Sequence, residues 1–253
     1  MSYDLRVWEQ PADREPPATL EQQRVTKADM RKVMATFLRE CVRKHGFEHD
    51  PSIQDADVGF TRSTTAGRQT ITLTVEGAVP RLSCKIYCRH RNERVQEIFG
   101  DVFGAQWLRR GTLAFNIGVF IGAFNAGLPF SSRQEIARIF ELLELKAMPV
   151  LDAARSLTGL NEVMNRQDRF PLDHQVRHPD DSRSLAQYLH RHSFEPLIVA
   201  WLVQDPEFDA LVEEYREYTR NRVDMTTADL DKLLGHLRAD VPAGEEGSDA
   251  NDA

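Results

Sequence analysis

Three segments between residues 57 and 90 alternate apolar and polar side chains with a period of two. In QTITLTVE, Ile71, Leu73 and Val75 fall on one face and the threonines between them fall on the other. Such alternation is typical of strands that bury one face of a sheet. The intervening turns TTAGR and EGAVP have the composition of hairpin turns. The pattern therefore predicts an antiparallel meander, and this constrains the fold more than any other feature of the chain.

The same register applies to the cysteines. Cys84 and Cys88 are in phase with the apolar residues Leu82 and Ile86, so we expect both thiols to be buried as small hydrophobic groups. With Cys41 the chain has three cysteines, which lack the spacing of metal ligands. Free thiols are typical of reducing compartments, and a cytoplasmic location is therefore expected.

Helix and strand signals flank the meander. YDLRVWE, at residues 3–9, alternates like a further strand, whereas residues 27–45 repeat apolar side chains at helical spacing. Thr26 and Asp29 form the signature of a capping box at the start of that helix, and Gly46 is placed to end it.

After the meander, a short helix is predicted at 92–100 and a fourth strand-like run at 112–120, TLAFNIGVF. Helical periodicity begins near Ser131, and Pro149 is expected to bend or end the first helix. Asp205 is predicted as the N-cap of a later helix. The remaining helices are predicted at about 183–192, 194–204, 206–220 and 227–238.

Segregated strands and helices predict an α+β fold, with an antiparallel sheet of about four to five strands in the N-terminal half and a helical C-terminal half packed on it. No linker separates the halves, so residues 1–239 are predicted to form a single domain, sheet-rich over 1–125 and helical over 126–239. Residues 240–253 are small, polar and acidic and are predicted to be disordered. They carry five of the seven net negative charges, so acidity belongs mainly to this tail.

The chain lacks the sequence motifs of several functional classes. The chain has neither a secretory signal nor an apolar run long enough to span a bilayer, so a membrane partner is not predicted. Nucleophile elbows, glycine-rich phosphate loops and known metal motifs are also missing. We therefore predict no catalytic residues, no metal and no cofactor, and the chain is not predicted to be an enzyme.

Two alternatives stay open. A polar loop containing His174, His178 and nearby aspartates has the ligand types of a metal-dependent hydrolase, although Pro179 disfavours the helix that would align the histidines. A basic stretch on the predicted sheet face could contact nucleic acid, but aromatic residues are scarce there and a nucleic-acid partner is not favoured. Its cations are Arg81, Lys85, Arg89, Arg91, Arg94, Arg109 and Arg110.

The helix predicted at 206–220 is the favoured partner-binding surface. Its apolar stripe leaves a row of carboxylates on the opposite side, and such a face could steer a basic protein towards it. Tyr218 could serve as an aromatic anchor, whereas Tyr215 belongs to the apolar stripe. The predicted partner-binding residues are Asp209, Glu213, Glu214, Glu217 and Tyr218.

Two features of the sequence are similar to a known class of protein. The opening MSYDLRVWEQP followed by PPATLEQ, and the runs GRQTITLTVEG and RLSCKIYCRHRNERVQEIFG, resemble bacterial immunity proteins of polymorphic and type VI secretion systems. The resemblance covers about two thirds of the chain and supplies no functional residues. It implies a cytoplasmic protein that neutralises a cognate secreted toxin by binding it, without catalysis.

Overall fold

A computed structural model describes residues 26–104, 111–123, 127–166, 168–172, 184–190, 193–220 and 222–239. The strand predicted at 3–9 and the acidic tail lie outside the described residues, so both stay predictions. The fold class is confirmed: the N-terminal half holds an antiparallel sheet and the C-terminal half is helical.

The described strands form one sheet of six, in the order β1–β2–β3–β4–β5, with β6 also paired to β4. Because β5 and β6 pair with opposite ends of β4, they share one edge of the sheet. The sequence patterns did not reveal the two short strands β1 and β6. The strands are β1 Glu48–His49, β2 Val58–Thr64, β3 Gly67–Ala78, β4 Arg81–Arg91, β5 Leu113–Asn116 and β6 Leu128–Phe130.

Helices precede, interrupt and follow the sheet. In the order of the chain they are α1 Lys27–Arg43, α2 Glu93–Phe103, α3 Arg133–Leu142, α4 Met148–Ala153, α5 Leu157–Asn165, α6 Leu185–His190, α7 Glu195–Leu202, α8 Phe208–Thr219 and α9 Thr227–Ala239. None of the helices in the described ranges has the length and apolar character that crossing a membrane requires.

The meander is confirmed at residue level. Ile71 lies opposite Cys88 and Val75 opposite Cys84, so apolar side chains face each other across β3 and β4. Both thiols are fully buried, and burial raises the pKa of Cys84 to about 12. Cys41 is buried as well, and burial raises the pKa of its thiol to about 11. The predicted assignment of the cysteines to the core is therefore confirmed.

The core continues from the sheet into the helices. Helix α1 buries Met30, Met34 and Leu38 and contacts β2, β3 and α3. Its capping box is present as predicted, with the Thr26 hydroxyl accepting from the Asp29 amide. Buried side chains of both halves belong to one continuous apolar cluster.

Three local predictions need correction. The strand predicted over 112–120 ends at Asn116, because the Asn116 side chain accepts from the Gly118 amide and starts a 3₁₀ helix, Ile117–Ile121. Asp205 does not cap α8: its carboxylate accepts from the Glu207 amide, within the turn before the helix. Pro149 does not end the helical path, since a π-helical segment at Leu143–Ala147 leads from α3 into α4, where Pro149 lies in the first turn. The alternative that Pro149 bends the helix stays a prediction.

The hairpin between β2 and β3 requires a glycine. Gly67 has a φ of +133°, and a Cβ there would lie 2.1 Å from the Arg91 carbonyl oxygen. We expect Gly67→Ala to lower the free energy of unfolding by about 2 kcal/mol or more, measured by urea denaturation.

Gly235 provides the matched control because it lies within α9 and a Cβ there meets nothing within 4 Å. Gly235→Ala is expected to raise stability by up to about 1 kcal/mol, through the better helix propensity of alanine. Equal effects of the two substitutions would contradict the strained turn at Gly67.

Candidate functional site

A row of three polar side chains crosses the core face of the sheet where β2 turns into β3. Arg62 lies opposite Gln69, and Gln69 lies opposite His90. Arg62 is 6% exposed and the other two are fully buried. Buried polar groups need hydrogen-bond partners, and the contacts of this polar row decide how the two halves of the chain meet.

Gln69 joins the sheet to the C-terminal end of α4. Its side-chain nitrogen donates to the carbonyl oxygens of Leu151 and Ala154, at 2.7 and 3.2 Å. The carbonyl of Arg155 accepts from the Thr65 hydroxyl and the Ala66 amide, at 2.9 and 3.0 Å. The last carbonyls of a helix lack partners within the helix, so the β2–β3 hairpin satisfies them here.

His90 completes the polar row as a neutral imidazole. Nε2 lies 3.0 Å from the Ala66 carbonyl oxygen, to which it must donate, so Nδ1 is an acceptor. It lies 3.2 Å from the Gln69 side-chain nitrogen, whose two hydrogens are shared between Nδ1 and the carbonyls of Leu151 and Ala154. Burial lowers the pKa of His90; the hydrogen bond to Ala66 opposes this shift and the nearby charge of Arg62 adds to it. Protonation would place a second donor against the Gln69 amide, so the fold favours the neutral form.

A charged cluster lies beside the polar row and is centred on Asp152 of α4. Oδ2 of Asp152 lies 3.0 Å from Nδ1 of His45, and Oδ1 lies 2.8 Å from Nη1 of Arg62. Nε of Arg155 is 3.5 Å from the same Oδ1. The Arg62 guanidinium also stacks on the Phe47 ring, 4.4 Å from its centroid. We call His45, Arg62, Asp152 and Arg155 the Asp152 cluster.

A cleft of about 600 Å³ opens next to the Asp152 cluster, within the size range of small-molecule sites. It lies between β2, the connection from α1 to β1, and the residues after α4. Polar residues predominate in its lining, although their carbon atoms are exposed there as well. The lining residues are His45, Gly46, Glu48, Thr61, Arg62, Ser63, Thr64, Thr65 and Arg155.

Three buried atoms of the cluster have no hydrogen-bond partner among the described residues, namely Nη2 of Arg62, Nε2 of His45 and Oδ1 of Asp152. Oδ1 is nevertheless ion-paired with Nη1 of Arg62, so the two nitrogens are the atoms left without a partner. The arginine nitrogen is a donor. Since Nδ1 of His45 donates to Asp152, Nε2 of the neutral ring is an acceptor. The cleft therefore offers charged donors, hydroxyls and one imidazole acceptor, and this combination suits recognition of a small anionic group.

The predicted partner-binding residues share α8, but they differ in exposure. Glu213 and Glu217 are 70% and 71% exposed and form ion pairs with arginines one turn further along the helix, at 3.5 and 3.0 Å. Asp209 is exposed, whereas Glu214 and Tyr218 are half-buried. The surface is thus less continuous than the sequence predicted.

Three of the seven cations on the basic sheet face form close ion pairs with neighbouring carboxylates, whereas Arg109 and Arg110 lie outside the described residues. Lys85 pairs with Glu76 at 2.8 Å, and Arg91 pairs with Glu93 at 2.7 Å. Arg94 lies 3.6 Å from Glu97. Exposed pairs of this kind are weak, so they do not decide whether this face contacts nucleic acid, and that alternative stays a prediction.

The histidines of the proposed metal loop, His174 and His178, lie outside the described residues. Within the described ranges, no group of three histidine, cysteine, aspartate or glutamate side chains could hold a metal ion. The hydrolase alternative therefore stays a prediction.

The polar row was not predicted, although the sequence carries a signal for it. Arg62 continues the phase of Val58 and Phe60, Gln69 that of Ile71, and His90 that of Cys88. A polar residue in phase with a buried face is a candidate for a specific buried contact. Asp152 and His45 carry no comparable signal, because only the docking of α4 on the sheet brings them together.

Comparisons with protein-family models, with curated proteins and with solved structures give no match to this chain.

The neutral state of His90 predicts loss of stability in acid. Its folded pKa lies below the ordinary value of 6.5, so the unfolded chain binds more protons once the pH falls below about 6.5. We expect the contribution of His90 to the free energy of unfolding to be constant above pH 7. Below that it should decrease by up to about 1.4 kcal/mol per pH unit.

His90→Gln removes the titrating group and keeps one donor and one acceptor. This variant should show a flatter dependence of unfolding free energy on pH between 7 and 5, measured by urea denaturation at each pH. His49→Gln, at an exposed position on β1, is the control and should retain the wild-type slope. If His90→Gln and wild type have the same slope, His90 does not determine the acid sensitivity.

Proposed function

We propose that this chain is an immunity-type binding protein of the cytoplasm that neutralises a cognate secreted toxin through a protein–protein interface, without catalysis. The contact proposed is the exposed face of α8. The observation that carries the proposal is a row of exposed carboxylates on a helix whose other face is anchored in the core.

The anchoring of α8 is specific. Tyr215 is fully buried, its hydroxyl donates to the Ser193 carbonyl at 2.9 Å, and its ring packs beside Phe194. Val212 is buried on the same face. A helix held in this way presents its outer side chains in a fixed arrangement, which lowers the entropy lost on binding.

Tyr218 supports the choice of this face. It is half-buried, and its ring packs edge-on against Tyr215 with centroids 6.4 Å apart. Partly exposed tyrosines beside charged residues are typical anchors of protein interfaces. Tyr218 follows Glu217 in the chain, so an aromatic contact made by Tyr218 would have the Glu217 carboxylate beside it.

The charge of α8 suits a basic partner. Arg216 and Arg220 pair with Glu213 and Glu217, but exposed pairs of this kind are weak and leave the carboxylates open to a competing cation. Charge complementarity of this kind mainly accelerates association and selects the partner.

A charge-reversal experiment tests α8. We expect Glu213→Lys with Glu217→Lys to weaken binding of the cognate toxin by about tenfold or more, because two attractive charges become repulsive. The melting temperature should change by no more than about 2 °C, since the lost ion pairs are exposed. The toxin would be identified by pull-down from the native cell and expressed separately, and its affinity would be measured by calorimetry.

Glu40→Lys with Glu141→Lys is the matched control. Both residues are exposed, on α1 and α3, and the double variant changes the net charge by the same amount. It should bind the toxin like wild type. If the two double variants bind equally well, α8 is not the contact, and if no toxin is neutralised on co-expression, the immunity function itself is wrong.

A further inference from the structure

The Arg62 guanidinium is only partly satisfied by the protein. Nε donates to the Gln69 side-chain oxygen at 2.7 Å, and Nη1 donates to the His45 carbonyl at 2.6 Å and faces Asp152. Nη2 is buried and has no partner among the described residues. Buried N–H groups without an acceptor are rare in folded proteins, so this nitrogen needs an explanation.

A second unpaired atom belongs to the same cluster. Nε2 of His45 is also without a partner among the described residues, and His45 and Arg62 contact the two oxygens of one carboxylate, Asp152. Both residues line the cleft. One atom donates and the other accepts in the neutral imidazole, so a matching ligand must carry both an acceptor and a donor.

The balanced charges of the cleft disfavour a doubly charged anion. Arg62 and Arg155 are balanced by Asp152 and Glu48 when His45 is neutral. A dianion such as phosphate would meet two carboxylates at close range, whereas a carboxylate adds a single negative charge. Arginine is a preferred donor to carboxylates. Nη2 of Arg62 could donate to one carboxylate oxygen and Arg155 to the other.

We propose that this cleft binds a small carboxylate that carries a hydroxyl or N–H group next to it. Arg62 and Arg155 donate to the carboxylate, and His45 accepts from the neighbouring group. Such chemistry belongs both to free hydroxy acids and to the C-terminus of a protein. The site is built from β2, the connection from α1 to β1 and the residues after α4, so it is separate from α8 and does not depend on the immunity function.

Binding would be measured by calorimetry and by NMR of the arginine and histidine side chains, at pH 7.5 and constant ionic strength. The probes are glycolate, acetate and inorganic phosphate. We expect saturable binding of glycolate, at least about threefold tighter than acetate because of its hydroxyl, and about tenfold tighter than phosphate.

Arg155→Met is the test variant. The Arg155 side chain is 53% exposed, and the hairpin contacts its backbone carbonyl, so the fold should be retained. We expect glycolate affinity to fall about tenfold. Arg81→Met, at an exposed position at the start of β4, is the control and should bind glycolate like wild type.

Two peptides that differ only in a free or an amidated C-terminus distinguish the sources of the ligand. Tighter binding of the free peptide than of glycolate assigns the site to a protein terminus, and the reverse order assigns it to a small acid. The proposal would be overturned if none of the probes bound saturably. A buried water would then be the partner of Nη2 of Arg62 and Nε2 of His45. The proposal would also be overturned if phosphate bound more tightly than glycolate. The same holds if Arg155→Met and Arg81→Met lost glycolate affinity to the same extent.

Discussion

The C-terminal end of α4 is buried against the sheet, and the side-chain amide of Gln69 makes this possible. Its nitrogen donates to two carbonyls of the helix, while Thr65 and Ala66 donate to the carbonyl of Arg155. Without these donors the helix end would have to reach water or leave carbonyl groups unpaired. Hydrogen bonds are directional, so they fix the position of the helical half on the meander more narrowly than apolar contact does.

The same docking creates the charged cleft. Burial lowers the pKa of Arg62 by disfavouring its charged form, and the hydrogen bond and charge of Asp152 oppose that effect. Asp152 reaches Arg62 only because the C-terminal end of α4 lies against the β2–β3 hairpin. Arg62 is buried whereas Asp152 is partly exposed, so loss of Asp152 would leave a buried guanidinium without its counter-charge. Arg62 therefore serves the fold and the cleft together, whereas the more exposed Arg155 makes fewer structural contacts, with Asp152 and the His45 carbonyl.

The charged surfaces that stand out in the sequence behave differently from the cleft. On α8, Glu213 and Glu217 pair with residues one turn away, and on the sheet face Lys85 pairs with its diagonal neighbour Glu76. Those pairs are local and exposed, so they contribute little to stability and remain available to a partner. In the cleft, cations from distant parts of the chain converge under burial, where each missing hydrogen bond has a larger effect.

The sequence by itself determined the α+β class, the antiparallel meander, the burial of the cysteines and the capped start of α1, because these follow from period-two and helical spacing within short segments. It also marked Arg62, Gln69 and His90 through their phase, although they were not recognised. Only the tertiary structure decided that the end of α4 meets the β2–β3 hairpin and brings His45 to Asp152. Residues more than a hundred positions apart meet there, and no local pattern encodes a contact whose geometry depends on how separate elements pack.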